Sequence, residues 1–170
     1  MKAAVFLDRD GVINENSSDY VKSWQEFVFL PQVFEPLKRL AQSDLFVVVI
    51  TNQSVINRGL ADRTTLEEIH AKMIEEIARQ GGRIDAVFYC PHRPDEGCDC
   101  RKPRPGLLLR AAKEYNLDLT RSYLIGDSLT DVEAGLAVGC ESFLVLTGRG
   151  EDQLAQPQAS RLTGYHVVAN

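Results

Sequence analysis

Two aspartates, Asp8 and Asp10, follow an apolar run and precede Gly11. A short apolar run that ends in polar residues and glycine is typical of a buried strand that leaves its sheet at a turn. Side chains two positions apart in an extended chain point the same way, so both carboxylates are expected where this strand ends. Adjacent, partly buried carboxylates repel each other and require a cation or a shared proton. For the pair taken alone, however, an ordinary polar turn is the better interpretation.

Polar residues also end the other predicted strands, which cover residues 45–50, 86–89 and 123–125. In parallel α/β sheets, ligands bind outside the carboxyl ends of the strands. The chemistry of this chain is therefore expected to gather at one edge of the sheet. The residues at the four strand ends are Asp8 and Asp10, Thr51 and Asn52, Cys90 and His92, and Asp127.

The three aspartates of this set would converge, and three carboxylates together require a hard divalent cation, usually Mg²⁺. Thr51 offers a hydroxyl that suits a phosphate group, and Arg101 or Lys102 would place positive charge against a developing oxyanion. An aspartate beside a cation and a lysine can attack phosphorus and form an aspartyl-phosphate. A second aspartate can protonate the leaving oxygen and afterwards activate water. The pattern therefore predicts hydrolysis of a phosphate ester.

Three cysteines and one histidine lie close together in the loop after the third predicted strand. They are Cys90, His92, Cys98 and Cys100. A Cys₃His set suits a tetrahedral structural zinc site, because four protein ligands leave no position open for water. Zinc would hold the loop 90–102 in place and direct Arg101 and Lys102, which follow the last ligand. Chance thiols, or disulfides in an oxidising compartment, are the alternative interpretation.

The predicted elements alternate between strand and helix at least four times. The expected helices and the remaining strands cover about 32–42, 64–80, 107–115, 130–138, 143–146 and 166–169. This alternation predicts an α/β fold with a doubly wound, Rossmann-like parallel sheet and helices on both faces. The segment 148–160, which is rich in Gly, Gln and charge, is expected to be loop. No linker separates domains, so residues 1–170 are expected to form one domain.

The composition fits a soluble globular protein, because 44% of the 170 residues are apolar and 25% are charged. The formal net charge of −5 argues against a general binder of nucleic acid or acidic lipid. No apolar run approaches the roughly 20 residues that a membrane span requires. The N-terminus lacks the pattern of a secretory signal. We therefore expect a cytoplasmic protein whose four cysteines are thiols or metal ligands.

Four segments, taken in order, resemble the motifs of the haloacid-dehalogenase-like (HAD-like) phosphatases over nearly the whole chain. They are Asp8-Arg9-Asp10-Gly11-Val12, Thr51-Asn52-Gln53-Ser54, Arg101-Lys102-Pro103 and Gly126-Asp127. The order and spacing of four motifs make the match far more specific than any one of them. The resemblance implies the HAD-like core fold, a dependence on Mg²⁺ and hydrolysis of a phosphomonoester.

The resemblance also implies roles for individual residues. Asp8 would be the nucleophile, and Asp10 would be the general acid and base. Asp8, the backbone carbonyl of Asp10 and Asp127 would hold Mg²⁺. Thr51 and Lys102 would bind the phosphoryl group.

Three further residues carry weaker expectations. Asp131 matches another position of the family pattern, where a carboxylate often supports the metal site, although an aspartate can also simply begin a helix. His70 lies in a predicted helix and is expected to be a surface or packing residue. Cys140 lies outside the cysteine cluster and is expected to be a small core residue.

The connections between the predicted elements are too short to fold into an independent lid, so the site is expected to be open, with a minimal cap. A reduced cap combined with a zinc loop is similar to two branches of the family, which act on a heptose bisphosphate or on histidinol phosphate. The motif residues favour the heptose branch, which serves surface-polysaccharide biosynthesis, so the expected partner is a small sugar bisphosphate. By that resemblance, the sugar or its distal phosphate is contacted by Asn52, Gln53, Ser54, Arg58 and Arg101.

Departures from the heptose branch in residues 55–57, in loop 16–20 and at Ser128 leave the identity of the sugar open. Arg58 is equally well explained as a solvated loop charge. Within the family, a phosphatase for histidinol phosphate or another sugar phosphate is the alternative. From a different class, the alternative is a zinc-stabilised binding module without catalysis, although all four catalytic positions are filled. We expect a monomer that binds neither nucleic acid nor membranes.

Overall fold

Six parallel strands form one sheet at the centre of the structure, a computed structural model that describes all 170 residues. The strands are β1 (Ala4–Leu7), β2 (Phe46–Asn52), β3 (Ala86–Cys90), β4 (Tyr123–Gly126), β5 (Glu141–Val145) and β6 (Tyr165–Val168). Their order across the sheet is β3-β2-β1-β4-β5-β6. The chain reverses its direction of progress between β1 and β4, and α/β sheets bind ligands at such a switch point.

Five α-helices connect these strands. They are α1 (Phe34–Ala41), α2 (Arg63–Arg79), α3 (Gly106–Tyr115), α4 (Leu129–Ala137) and α5 (Gly150–Leu154). The alternation of strands and helices confirms the predicted doubly wound α/β fold. No helix combines the length and the apolar character that crossing a lipid bilayer would require.

The two faces of the sheet carry separate hydrophobic cores, because successive side chains of a strand point to opposite faces. Val5 and Leu7 of β1 pack in a cluster that includes Ile69 of α2. Phe6, between them, points the other way and packs in a cluster that includes Leu107 of α3. Burying one such side chain contributes about 1.5–3 kcal/mol. The central strand is thus buried on both sides, and its carboxyl end is fixed rigidly for chemistry.

The structure differs from the sequence-based expectation in the segment 148–160, where α5 replaces part of a predicted loop. Five residues are too few for a helical period to be visible in a sequence. The helix begins at Gly150, where an added Cβ would lie only 1.8 Å from the carbonyl oxygen of Val145. α2 also begins slightly earlier than predicted, because Asp62 caps it by accepting a hydrogen bond from the backbone N–H of Thr65 at 2.7 Å.

The long connection between β1 and α1 packs onto the body of the fold. Its aromatic side chains pack on one another: the rings of Trp24 and Phe27 stack with centroids 5.2 Å apart, and those of Phe27 and Phe29 meet edge to face with centroids 5.0 Å apart. They join the core on the α1 and α2 face. The connection therefore forms a fixed wall instead of an independent lid, which agrees with the minimal cap.

Candidate active site

The side chains that the motifs single out come together at the carboxyl ends of β1, β2 and β4. Asp8 directly follows β1, Thr51 is the penultimate residue of β2, and Asp127 directly follows β4. Because β1 lies between β2 and β4, Asp8 occupies the middle of this row. Lys102 reaches the row from the loop between β3 and α3. All four residues are at most 7% exposed, so bulk water hardly reaches them.

Lys102 is the positive charge at the centre of the site. Its Nζ donates hydrogen bonds to Asp8 Oδ1 at 2.9 Å and to the Ile50 carbonyl at 3.0 Å, and it lies 2.5 Å from Asp131 Oδ1. Burial alone would lower the pKa of Lys102, but Asp131 and Asp8 raise it above its usual value, so the ammonium stays charged. Burial and the charge of Asp131 raise the pKa of Asp8 to about 7, although Lys102 acts in the opposite direction.

Asp8, Asp127 and Asp131 form a group of buried carboxylates, with ligand oxygens within 4.8 Å of one another. Asp127 Oδ2 accepts hydrogen bonds from Asn16 Nδ2 at 2.6 Å and from the backbone N–H of Arg149 at 2.8 Å. The other oxygen of Asp127 is buried without a partner. Burial and the charge of Asp8 raise the pKa of Asp127 to about 6. Three carboxylates beside one ammonium, with a buried oxygen left over, are a donor set that fits Mg²⁺.

Two glycines leave the room that the Asp127 carboxylate occupies. Gly11 has a φ of +88° and Gly148 a φ of +59°, a backbone region that side chains disfavour. A Cβ added to Gly11 would lie 2.1 Å from Asp127 Oδ2, and one added to Gly148 would lie 2.3 Å from the same oxygen. Any larger residue at either position would therefore displace this carboxylate.

The carboxylate of Asp10 does not join this group and faces a different set of donors. Its Oδ1 accepts hydrogen bonds from Asn14 Nδ2 at 2.8 Å and from Arg9 Nη2 at 3.0 Å, and its Oδ2 accepts one from Gln53 Nε2 at 2.8 Å. Burial would raise the pKa of Asp10, but the charge of Arg9 and these hydrogen bonds outweigh burial and lower it. Only the backbone carbonyl of Asp10 is thus left for the metal contact that the family resemblance implies.

The residues after Thr51 point mainly into the protein. The side chain of Asn52 brackets the backbone of Lys102: its Nδ2 donates to the Lys102 carbonyl at 3.2 Å, and its Oδ1 accepts from the Lys102 N–H at 3.1 Å. Gln53 is 2% exposed, and its amide also donates to Thr51 Oγ1 at 2.8 Å. The hydroxyl of Ser54 accepts a hydrogen bond from Arg58 Nε at 3.1 Å. These contacts organise the site, whereas Arg58 itself reaches towards its opening.

A polar cleft of about 990 Å³ opens above these residues. The guanidinium carbon of Arg58 lies 5.6 Å from the centroid of the Tyr20 ring, so the two side chains meet across the cleft wall. Arg101 donates a hydrogen bond to the carbonyl of His92 at 3.1 Å. The arginines that line the cleft are Arg58, Arg93, Arg101, Arg104 and Arg149. Such a rim suits a ligand with more negative charge than one phosphate group carries.

The cysteine cluster lies next to the loop that delivers Lys102. Its members are Cys90, His92, Cys98 and Cys100. The sulfur of Cys90 lies 3.6 Å from that of Cys98 and 3.2 Å from that of Cys100, and His92 Nδ1 lies 3.3 Å from the sulfur of Cys100. All four ligand atoms lie within 4.8 Å of one another, and no cysteine forms a disulfide. This is the donor set of a closed tetrahedral zinc site.

Comparison with known proteins defines the family. Residues 99–170 match the family model described as HAD-hydrolase-like. D-glycero-beta-D-manno-heptose-1,7-bisphosphate 7-phosphatase of Pseudomonas aeruginosa is 46% identical over 156 residues, which are 92% of this chain and 88% of that protein. The protein of the same name from Bordetella bronchiseptica is 47% identical over 161 residues, which are 93% of this chain and 90% of that one. The chain belongs to the HAD-like phosphatase family.

Solved structures agree with this assignment. The crystal structure of D,D-heptose 1,7-bisphosphate phosphatase from B. bronchiseptica, complexed with magnesium and phosphate, matches with a TM-score of 0.92 and 45% identity. The match covers 100% of this chain and 93% of that one. The corresponding enzyme from Burkholderia thailandensis matches with a TM-score of 0.75 and 37% identity, over 99% of this chain and 93% of that one.

Sequence reasoning missed several residues of this HAD-like site. Asn16 and Arg149 hold Asp127, and their contacts span 111 and 22 residues of chain. His70, expected to be a surface or packing residue, is 5% exposed and accepts a hydrogen bond from Arg9 Nη1 at 3.1 Å. The place of Arg9 inside the first motif was the one available signal. The contacts of Asn16 and Arg149 with Asp127 have no signature in the local sequence, because the partners come together only when the chain folds.

Proposed function

We propose that this chain is a Mg²⁺-dependent phosphatase that removes the 7-phosphate of D-glycero-D-manno-heptose 1,7-bisphosphate. The observation that carries the proposal is the ion pair of Asp8 and Lys102 at 2.9 Å beside two further buried carboxylates. This arrangement combines a nucleophile, a fixed cation and a set of metal ligands. Support for the substrate comes from two relatives named heptose-1,7-bisphosphate 7-phosphatase, which are 46–47% identical to this chain over about nine-tenths of its length.

In the first half-reaction, a carboxylate oxygen of Asp8 attacks phosphorus. Oδ1 already accepts hydrogen bonds from Lys102 Nζ and from the backbone N–H of Arg9, so Oδ2 is the oxygen available for attack. The bond between phosphorus and the ester oxygen breaks, and its electron pair remains on that oxygen, which takes a proton from Asp10. Asp10 must bind this proton before the step, because Arg9 and the hydrogen bonds to its carboxylate favour the ionised form. When bound, Mg²⁺ neutralises charge on the carboxylates and on the phosphoryl oxygens.

In the second half-reaction, water attacks the phosphorus of the aspartyl-phosphate. Asp10, now ionised, accepts the proton of that water, and the bond from phosphorus to Asp8 breaks to release inorganic phosphate. Thr51 supports both steps. Its Oγ1 accepts a hydrogen bond from Gln53 Nε2, so its own O–H is free to donate to a phosphoryl oxygen.

The substrate selectivity that we propose rests on the rim of the cleft. A phosphate at each end of a sugar would place one group at Asp8 and the other among the arginines of the rim, of which Arg58 and Arg101 lie in two different loops. Arginine binds phosphate through paired hydrogen bonds, which favours a bisphosphate over a single phosphate ester. In such an enzyme, Ser54 and Arg58 would contact the sugar or its distal phosphate. Gln53 would hold Asp10 and Thr51 through its hydrogen bonds to their side chains.

We also propose that residues 1–170 act as one monomeric phosphatase domain in the cytoplasm and serve heptose metabolism for surface polysaccharides. A single chain supplies every side chain of the site, so the chemistry needs no second copy. The four cysteines are free, as in a reducing compartment. Light scattering during gel filtration tests the monomer, because a dimer would have twice the chain mass of 19.0 kDa.

Phosphate release from a panel of substrates tests the proposal. With Mg²⁺, kcat/KM for heptose 1,7-bisphosphate should exceed that for histidinol phosphate and for monophosphate sugars. Removal of Mg²⁺ should abolish turnover, and Asp8→Asn should reduce kcat at least about 10³-fold while the protein remains folded. A preference for histidinol phosphate would assign the alternative substrate. Undiminished turnover by Asp8→Asn would overturn the mechanism.

A further inference from the structure

Arg9 separates the two aspartates of the first motif, and its side chain is completely buried, with 0% exposure. Its Nε and Nη2 donate to Asp10 Oδ1 at 3.2 and 3.0 Å, and Nη2 also lies 3.2 Å from Asp10 Oδ2. The guanidinium carbon lies 5.8 Å from the centroid of the Phe27 ring. Arg9 does not line the cleft, and its guanidinium forms no ion pair with the clustered carboxylates of Asp8, Asp127 and Asp131. Its positive charge is paired with the carboxylate of Asp10.

A second residue anchors this arginine from outside the motifs. His70 of α2 lies with Nε2 3.1 Å from Arg9 Nη1. Arginine keeps its proton, so Nη1–H donates and the imidazole accepts, which requires a neutral histidine. Burial and the charge of Arg9 lower the pKa of His70 to about 3, in agreement with that assignment. α2 thereby holds the far end of the guanidinium in one orientation.

Gln53 completes the arrangement from the neighbouring strand. Its Oε1 accepts a hydrogen bond from Arg9 Nη2 at 3.1 Å, and its Nε2 donates to Asp10 Oδ2 and to Thr51 Oγ1, both at 2.8 Å. One buried amide therefore connects the proposed acid and base with the proposed phosphate-binding hydroxyl. The side chain has no polar atom left for a sugar.

We propose that Arg9, His70 and Gln53 are positioning residues that aim the Asp10 carboxyl group at the leaving oxygen. The inference rests on the proposed function, because it concerns the proton that Asp10 gives when the bond from phosphorus to the ester oxygen breaks. His70 contacts neither substrate nor reacting atoms and acts only through Arg9. The paired hydrogen bonds of a guanidinium restrict rotation of the carboxylate more strongly than a single point charge could.

A comparison of leaving groups tests the inference. An alkoxide leaving from heptose 1,7-bisphosphate needs a proton from an acid, whereas p-nitrophenolate leaves from p-nitrophenyl phosphate as a stable anion. Misplacing Asp10 should therefore slow the first substrate more than the second. We expect His70→Leu to lower the ratio of the two kcat values about tenfold and Arg9→Lys to lower it about 100-fold. His70→Gln, which keeps a hydrogen-bond acceptor, should restore most of the ratio.

Met73→Ala is the matched control, because Met73 lies on the same helix, is also buried and packs only in the hydrophobic core. It should loosen α2 and leave the ratio of the two kcat values unchanged. If His70→Leu and Met73→Ala changed both substrates equally, His70 would be merely structural and the inference would be overturned. Should Arg9→Lys fail to fold, the two His70 variants still decide. A wild-type protein that released phosphate from neither substrate would instead overturn the proposed function, and the inference with it.

Discussion

Lys102 Nζ lies 2.9 Å from Asp8 Oδ1, although 94 residues separate the two along the chain. Asn52 brackets the Lys102 backbone from the end of β2, and the cysteine cluster ends two residues before Lys102. The proposed nucleophile and its cation are thus held by separate parts of the fold. Both ends of this ion pair are fixed before substrate arrives, which is the preorganisation that phosphoryl transfer requires.

Replacing Lys102 by methionine should destabilise the protein as well as stop catalysis. The change leaves Asp8 and Asp131 buried together without their shared ammonium, and breaking a buried ion pair costs about 3 kcal/mol or more. Urea denaturation at pH 8 without Mg²⁺ should show the loss. Lys72→Met is the control, because the Lys72 pair with Glu68 lies at the surface and should contribute nothing measurable. Equal midpoints for both variants would contradict the central role of Lys102.

Gly11→Ala should weaken Mg²⁺ binding about tenfold or more, because the new methyl group would displace the carboxylate of Asp127. Titration calorimetry with Mg²⁺ measures the affinity directly, without turnover. Gly164→Ala is the control for backbone strain alone, because Gly164 has a similar φ of +84° but a Cβ added there would lie 3.8 Å from Leu136 Cδ2, an ordinary contact distance. That variant should lose a little stability and keep its Mg²⁺ affinity. Equal affinities for both variants would exclude Asp127 from the metal site.

Cys98→Ser should remove zinc and loosen the loop that carries Arg101 and Lys102. Elemental analysis should find about one zinc per chain in the wild type and almost none in the variant. The thermal unfolding midpoint should fall at the same time. Cys140→Ala is the control, because Cys140 is a free, buried cysteine outside the cluster. Unchanged zinc content and stability in Cys98→Ser would show that the cluster binds no structural metal.

His70 should make the folded state less stable in acid. Its pKa is lowered to about 3 in the folded protein, whereas an unfolded histidine titrates near 6.5, so the unfolded chain binds the additional proton between these values. Stability contributed by the neutral imidazole is therefore complete above about pH 6.5 and falls by about 1.4 kcal/mol per pH unit below it. The charged and titratable groups around His70 are Arg9, Asp10 and Tyr89.

Urea denaturation between pH 7.5 and 4.5 checks this slope as a difference between wild type and His70→Gln. Asp8 and Asp127 have raised pKa values, so they change stability with pH in the opposite direction. Because both proteins contain these two aspartates, their contributions cancel in the difference, which leaves the effect of His70. Parallel curves for the two proteins would show that His70 binds protons equally well in the folded and unfolded states, so that folding does not lower its pKa.

By itself, the sequence determined the fold class and the reaction chemistry. Alternating apolar strands and amphipathic helices are local patterns, and the polar residues that follow each strand must meet at one edge of a parallel sheet. For that reason Asp8, Thr51 and Asp127 were predictable as one site, and the motif Arg101-Lys102-Pro103 added Lys102. The short helix α5 was not, because five residues contain too little periodicity.

Only the tertiary structure decided which way the polar side chains point. Asp10 turns to Arg9 while Asp131 joins Asp8, and Gln53, expected to contact the sugar, is covered by its own hydrogen bonds. His70 becomes a buried acceptor because α2 packs beside β1, 61 residues away from its partner. Such choices depend on burial and on partners from distant segments, since a buried polar group must find a hydrogen bond wherever packing allows one. A sequence pattern states which groups are available, and packing selects the pairs.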